Sequence, residues 1–389
     1  MKKLIPIILI SFIIVIILCN NKNMEDLSYN LDNVKVEDMS LREKIGQMLV
    51  VYYSNDYIDE YLINSLKENQ PGGFIITQYN FTNFKRAKNF ITSLNNYTKL
   101  PMFITIDQES KDVQRLIDIE DIKSTRLPDM SSLEINNDDT YSYNIGKIIG
   151  EEVRSLGINT VYSPCIDTGD SKTSPMGDRL ISKNPNIVSR HGSLIAKGII
   201  DSNVIPVYKH FPGIGDTLVD THDDIPVINK TKEELYNYEL IPFIDAINNG
   251  ANMIMVGHAS YPNLTNNNIP ASLSKEIITD LLRNELGYNG IVITDAINMG
   301  ALVNSYNEKD IYAYGINAGV DMFIMPNGSK RVITLIEELV YDGVIDEALI
   351  DRAVNRILKV KKEFLSNFTP LDDYYFGNEI HYNMIKTYN

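Results

Sequence analysis

The sequence predicts an α/β protein folded as a single (β/α)8 barrel of the TIM type. Three observations carry that expectation. Eight short apolar runs recur along the chain, the intervals between them are long enough for a helix, and most runs end in a residue that can carry charge. Strands alternating with helices form a parallel sheet, and eight such units close it into a barrel. The runs lack in–out alternation, as strands covered on both faces should. An open, doubly wound sheet shares the periodicity, but there only the strand ends at the switch point would meet. In a barrel, Asp107, Asp167, Lys209-His210, His258 and Asp295 all converge on one mouth. No G-x-G-x-x-G or P-loop follows a run, so nucleotide folds gain no support.

The chain has 389 residues, above the ~150 usual for one domain but compatible with a decorated barrel. Lys2-Lys3 and the apolar residues 4–18 read as the n- and h-regions of an export signal. The stretch is short against the ~20 residues a spanning helix needs. Cys19 ends it, which suggests a lipid-anchored lipoprotein; Leu18 is bulkier than the residue usual before such a cysteine, so an uncleaved N-terminal anchor is the alternative. The only other cysteine is Cys165, and no intrachain disulfide is expected. Residues 1–19 are thus an anchor segment, 20–38 a polar tether, 39–365 the barrel and 366–389 a Tyr- and Asn-rich tail.

Ser40-Leu41-Arg42-Glu43 reads as a capping box that opens the first helix. The apolar runs follow at 45–53, 73–76, 102–106, 160–162, 204–208, 253–256, 291–293 and 322–325. Helical patterns fill the intervals at 194–200, 235–247 and 277–286, and an amphipathic pattern at 345–364 closes the domain. The net charge of −15 argues against a nucleic-acid partner, because phosphates would be repelled.

The richest stretch follows the fifth run. Lys209-His210-Phe211-Pro212-Gly213 turns through Pro and Gly into a loop that carries Asp220-Thr221-His222. Two acid/base centres on one connecting turn point to chemistry rather than linkage. Asp295 ends the seventh run, where a carboxylate costs stability unless paired, although a helix cap is an equally good reading of it alone. Asp107 is placed alike, with Arg115 close enough to fold back. Arg179, in a long loop, reads by itself as a surface residue.

Several segments together resemble the family-three glycoside hydrolases, in particular their single-domain bacterial β-N-acetylhexosaminidases, over about residues 41–365. They are Asp107-Gln108-Glu109 with Val113-Gln114-Arg115, Gly157-Ile158-Asn159 with Ser163-Pro164, the Lys209–Gly213 loop, Asp220-Thr221-His222, and Thr294-Asp295-Ala296 with Met299-Gly300-Ala301. The resemblance implies a barrel without cofactor or metal that removes N-acetylglucosamine from the non-reducing end of a glycan. It makes Asp295 the nucleophile and His222 the general acid/base, partnered by Asp220. Asp107, Arg115, Arg179, Lys209 and His210 would hold the sugar. A retaining glycosidase needs a carboxylate on one face of the sugar and a proton donor at the leaving oxygen. A histidine can serve as that donor when a nearby acid fixes its tautomer. The chain departs from the family pattern at Ser110-Lys111-Asp112, at Ile214 and at Leu180-Ile181-Ser182, beside the residues given roles rather than on them.

Three readings follow: an exported hydrolase of cell-wall or related glycans that works as a monomer, a phosphorylase at the same site, or a surface lipoprotein that binds glycan without turnover. A metal hydrolase on His210, His222 and His258 lacks the usual ligand spacings.

Overall fold

The computed structural model describes residues 31–215, 217 and 225–386. The strands are β1 (Leu49–Val51), β2 (Gly73–Ile76), β3 (Phe103–Ile106), β4 (Thr160–Val161), β5 (Ile205–Phe211), β6 (Met253–Val256), β7 (Ile291–Ala296) and β8 (Met322–Ile324). They pair in parallel and in chain order, and β8 closes on β1. All eight expected runs become strands. β2, β3, β5 and β6 are buried along their whole length, which is why their sequences show no alternation.

The helices of seven or more residues are α1 (Leu41–Gln47), α2 (Glu60–Asn69), α3 (Phe84–Ser93), α4 (Asp139–Ser155), α5 (Pro185–Asp201), α6 (Leu240–Asn248), α7 (Glu276–Glu285), α8 (Glu308–Ala318), α9 (Ser329–Tyr341), α10 (Glu347–Leu365) and α11 (Glu379–Lys386). The capping box at Ser40 is present, with both reciprocal bonds to Glu43. It carries α1 through Gln47, so the first apolar run divides between a helix and β1.

The helix expected over 235–247 is broken into Lys232–Asn237 and α6. Pro242 explains the break. Its ring excludes a helical carbonyl four residues earlier, at Tyr238, and Tyr238 stands outside helical geometry at φ −143°. α7 is wound in π fashion, and Leu286 N–H reaches back five residues to Leu281 O at 2.9 Å.

Both flanks of the expected domain are longer than the sequence boundaries. Leu31 and Val36, inside the stretch read as a tether, are buried, and Asp32 pairs with Lys362 of α10 at 2.7 Å. Past α10 the chain runs back beside α4 and ends in α11, with Phe376, His381 and Ile385 buried. Cys19 and the anchor segment lie outside the described residues; among those described, no helix is long and apolar enough to cross a membrane.

Candidate active site

The C-terminal ends of β3, β4, β5, β6 and β7 supply the charged residues of one barrel mouth. Asp107 follows β3, and the chain then doubles back on itself. Glu109 N–H donates to Val113 O at 2.9 Å, Gln108 bridges Gln114, and Arg115 N–H donates to Asp107 O at 3.4 Å. The hairpin turns Glu109 inward, where it is 2 % exposed. Lys209, at the end of β5, reaches Glu109 Oε1 at 2.7 Å and Asp107 Oδ1 at 3.0 Å. Arg179 grips the same carboxylate with two bonds, Nε to Oε2 at 3.1 Å and Nη2 to Oε1 at 3.0 Å. Its side chain is 21 % exposed, so the surface reading of Arg179 is corrected: a buried acid on another loop draws it in.

The charges in this cluster settle one another. Burial pushes Glu109 toward its neutral form, but the Arg179 and Lys209 cations outweigh it and hold the carboxyl below its usual range. Burial likewise opposes charge on Lys209, and Glu109 with Asp107 raise it nevertheless.

His210 is fixed from the other side. Past β4 the chain continues beside the end of β5, with Cys165 bridging Lys209 and Ile166 N–H donating to Lys209 O at 2.9 Å. That extension delivers Asp167, fully buried, to His210. Asp167 Oδ2 accepts from His210 Nδ1 at 2.6 Å and from the His210 N–H at 3.1 Å, and Oδ1 accepts from Ile214 N–H at 2.8 Å. Burial raises Asp167, but the adjacent His210 and these donors lower it. A carboxylate only accepts, so Nδ1 carries the proton and Nε2 is turned toward the mouth.

Nε2 stands 4.0 Å from Asp295 Oδ2. The other oxygen of Asp295 accepts from the Ala296 N–H at 2.7 Å. Burial favours the protonated acid, yet neighbouring His210 and that N–H bring Asp295 below its ordinary pKa. It is therefore an ionised carboxylate at a strand tip, with its side chain 22 % exposed. His258 supports it through the main chain: Nε2 donates to Ala296 O at 3.2 Å and Nδ1 accepts from Ser272 Oγ at 2.7 Å. Burial depresses its pKa and keeps the ring neutral.

The structure brings together Asp107, Arg179, Lys209, His210 and Asp295, and ties Arg115 to Asp107 through the backbone. Asp220 and His222 lie outside the described residues. Of the described residues that flank them in sequence, Gly215 packs so close to Gly169 that a Cβ there would sit 2.2 Å from Thr168 O, and Pro226 and Ile228 bond to the Ser260 backbone beyond β6. Ile214, where the sequence departs from the family pattern, is buried, and its N–H serves Asp167.

Sequence reasoning gave no role to Glu109 and none to Asp167. The i, i+2 spacing of Asp107 and Glu109 was the available signal for the first. For the second it was an acid and a histidine at the ends of neighbouring strands. Among the described residues, Cys165, Asp167 and His210 offer donor atoms within 4.8 Å of one another. Both Asp167 oxygens and His210 Nδ1 are engaged in hydrogen bonds, and burial holds Cys165 as the thiol, so the set fits a hydrogen-bonded pair rather than a metal centre.

The geometry matches solved structures. A glycoside hydrolase family 3 β-N-acetylglucosaminidase from Paenibacillus sp. FPU-7 superposes with a TM-score of 0.83 at 28 % identity, covering 90 % of this chain and 68 % of that one. Among curated proteins, a β-hexosaminidase A of Pseudoalteromonas piscicida is 32 % identical over 272 residues, which cover 66 % of this chain and 46 % of that protein. A β-hexosaminidase of Nitrosomonas eutropha is 28 % identical, covering 72 % of this chain and 81 % of that protein. The chain thus spans less than half of the first relative and most of the second. The model of the glycosyl hydrolase family 3 N-terminal domain matches residues 40–360, so the chain belongs to glycosyl hydrolase family 3.

Proposed function

We propose that the chain is a retaining exo-β-N-acetylglucosaminidase acting on cell-wall or related glycans. The observation that carries the reading is Asp295, ionised at the tip of β7, partly exposed at the mouth and 4.0 Å from His210 Nε2. The names of the β-hexosaminidase relatives support N-acetylhexosamine as the sugar. In the first step an Asp295 oxygen attacks the anomeric carbon while His222 protonates the leaving oxygen, giving a covalent glycosyl ester. In the second, His222 takes a proton from water, and that water attacks the same carbon to release the sugar and free Asp295. Asp220, two residues away, orients the imidazole. Asp107, Arg115, Arg179, Lys209 and His210 hold the sugar hydroxyls. The apolar segment ending in Cys19 supports export and membrane anchoring, with the enzyme working as a monomer.

An assay with an aryl β-N-acetylglucosaminide, run beside the β-glucoside in phosphate buffer, tests the reading. Release of free N-acetylglucosamine with little β-glucoside turnover is expected. Sugar 1-phosphate as the product would make the chain a phosphorylase, and sugar binding without turnover would make it a glycan-binding protein.

A further inference from the structure

Glu152 lies in α4, fully buried, and collects donors from two segments far apart in sequence. Thr125 gives it N–H at 3.0 Å and Oγ1 at 2.6 Å, both to Oε1. From the C-terminal segment, Gly377 N–H reaches the same oxygen at 3.1 Å and His381 Nδ1 lies 3.4 Å away. His381 Nε2 is tied to Glu151 Oε2 at 2.7 Å, which fixes the ring.

Thr125 is tied in turn to Gln114 of the Asp107–Arg115 hairpin. Its carbonyl accepts from Gln114 Nε2 at 2.6 Å, and Gln114 Oε1 accepts from Leu127 N–H at 3.0 Å. Gln114 in turn is the residue that bridges Gln108 and precedes Arg115. A continuous path of hydrogen bonds therefore runs from Gly377 and His381 through Glu152, Thr125 and Gln114 to the strand pair that aims Asp107, Glu109 and Arg115.

Packing presses the same way. Gly377 has φ +59°, and a Cβ there would sit 2.0 Å from Lys123 O, so its backbone lies directly on the loop. Phe376 packs against Phe84 with ring centroids 4.9 Å apart, while Phe84 N–H donates to Asp121 Oδ1 at 2.8 Å. Residues 115–127 are held between α4, the start of α3 and the C-terminal segment.

We propose that Glu152 is a positioning residue for sugar binding, and that the segment from Asp372 to α11 is the brace that sets it. Glu152 meets no sugar itself; it acts on Arg115 and Asp107 by fixing Thr125 and Gln114. The proposal rests on the reading that the hairpin holds the sugar. A brace of this kind acts on the ground-state complex and on turnover unequally, because the hairpin binds the sugar while Asp295 stands on another strand.

The test uses the full chain with His381→Ala, His381→Asn and Gly377→Ala, assayed on the aryl β-N-acetylglucosaminide. His381→Ala and Gly377→Ala should raise KM about 3- to 10-fold with kcat within about twofold. His381→Asn keeps a donor near the Nδ1 position and should recover most of the KM. A merely structural role would instead lower the active fraction, reducing apparent kcat at unchanged KM, and that result overturns the proposal. Lys209→Ala, run in parallel, reports on the sugar site itself. If the wild-type chain turns over no glycoside, the proposed function fails and amide hydrogen exchange decides the brace. Faster exchange across 108–127 in His381→Ala supports it, and unchanged exchange there overturns it.

Discussion

The barrel carries a buried ionic cluster at each end, and the two are built differently. At the N-terminal end Asp321, 1 % exposed, sits between Arg283 Nη2 at 2.7 Å and Arg356 Nη1 at 2.9 Å and also accepts from Val292 N–H at 2.8 Å. Arg283 also donates to the carbonyls of Gly290 and Gly319. Every partner that cluster engages belongs to the barrel itself. At the mouth, Lys209 and Arg179 close on Glu109, but Asp107 and Asp295 keep side chains 28 % and 22 % exposed. Each of these two carboxylates has a partner, Lys209 for Asp107 and the Ala296 N–H for Asp295, yet keeps part of its surface open to the mouth. The difference separates a staple from a proposed site: one end of the barrel holds the strands together, and the other is where the proposed function places the substrate.

The largest expected effect falls on the open end. Asp295→Asn should lower kcat by about 10⁴-fold or more while leaving the melting temperature unchanged or slightly lowered, since Asn keeps the packing but loses a carboxylate that its surroundings hold below its ordinary pKa. Near-wild-type turnover would move the nucleophile elsewhere and erase the contrast between the clusters.

His222→Ala comes next and depends on the leaving group. On a natural disaccharide, loss of a general acid should cost about 10²–10⁴-fold. An activated aryl glycoside needs little protonation to depart, so a burst of aryl product followed by slow turnover is expected. Equal slowing of the burst and of disaccharide cleavage would leave His222 a positioning group only.

Asp321→Asn should act on the closed end alone. It takes the carboxylate from the nearly buried Arg283 and the partly exposed Arg356, a loss of up to about 3 kcal/mol read by denaturant titration, with kcat/KM of the folded fraction unchanged. Altered kinetics would show that the two ends communicate. Lys209→Ala lies between the two cases, because on the proposed function Lys209 binds the sugar as well as neutralising Glu109. KM should rise by the equivalent of about 1.5–3 kcal/mol per lost charge-assisted bond, and stability should fall as well, since Glu109 keeps only Arg179.

Much of this was legible in the sequence, for a physical reason. Strands covered on both faces must be apolar throughout, so eight runs such as Phe103–Ile106 and Met253–Val256 announced the barrel, and Asp107, Lys209, His210 and Asp295 announced its mouth by ending them. What the sequence did not disclose was pairing between distant loops. Arg179 looked exposed because nothing near it in the chain explains its burial; its partner is Glu109, 70 residues away. Glu152 gave no signal, since a glutamate in the middle of a helix reads as a solvated face until Gly377 arrives from the far end of the chain. Pro242 shows the opposite error: apolar spacing over 235–247 outvoted a local rule that the backbone obeyed.

The smallest expected effect sharpens the comparison by pH. His381 faces Glu151 and Glu152, and Lys147 pairs with Glu151 at 3.8 Å one turn away. Burial favours the neutral ring, but the hydrogen bonds to the two carboxylates outweigh it and raise the pKa to about 9, against about 6.5 in an unfolded chain. The folded state thus binds this proton more tightly than the unfolded state. Its stabilising contribution is complete below pH ~6.5, declines between the two values, and is gone once pH has risen through ~9. Asn at this position keeps a donor but cannot titrate, so wild type should melt a few degrees above His381→Asn at pH 6, with the gap closing by pH 9.5. A gap for His381→Asn that is flat between the two pH values would mean the ring is neutral in the folded chain, leaving its grip on α4 to uncharged hydrogen bonds.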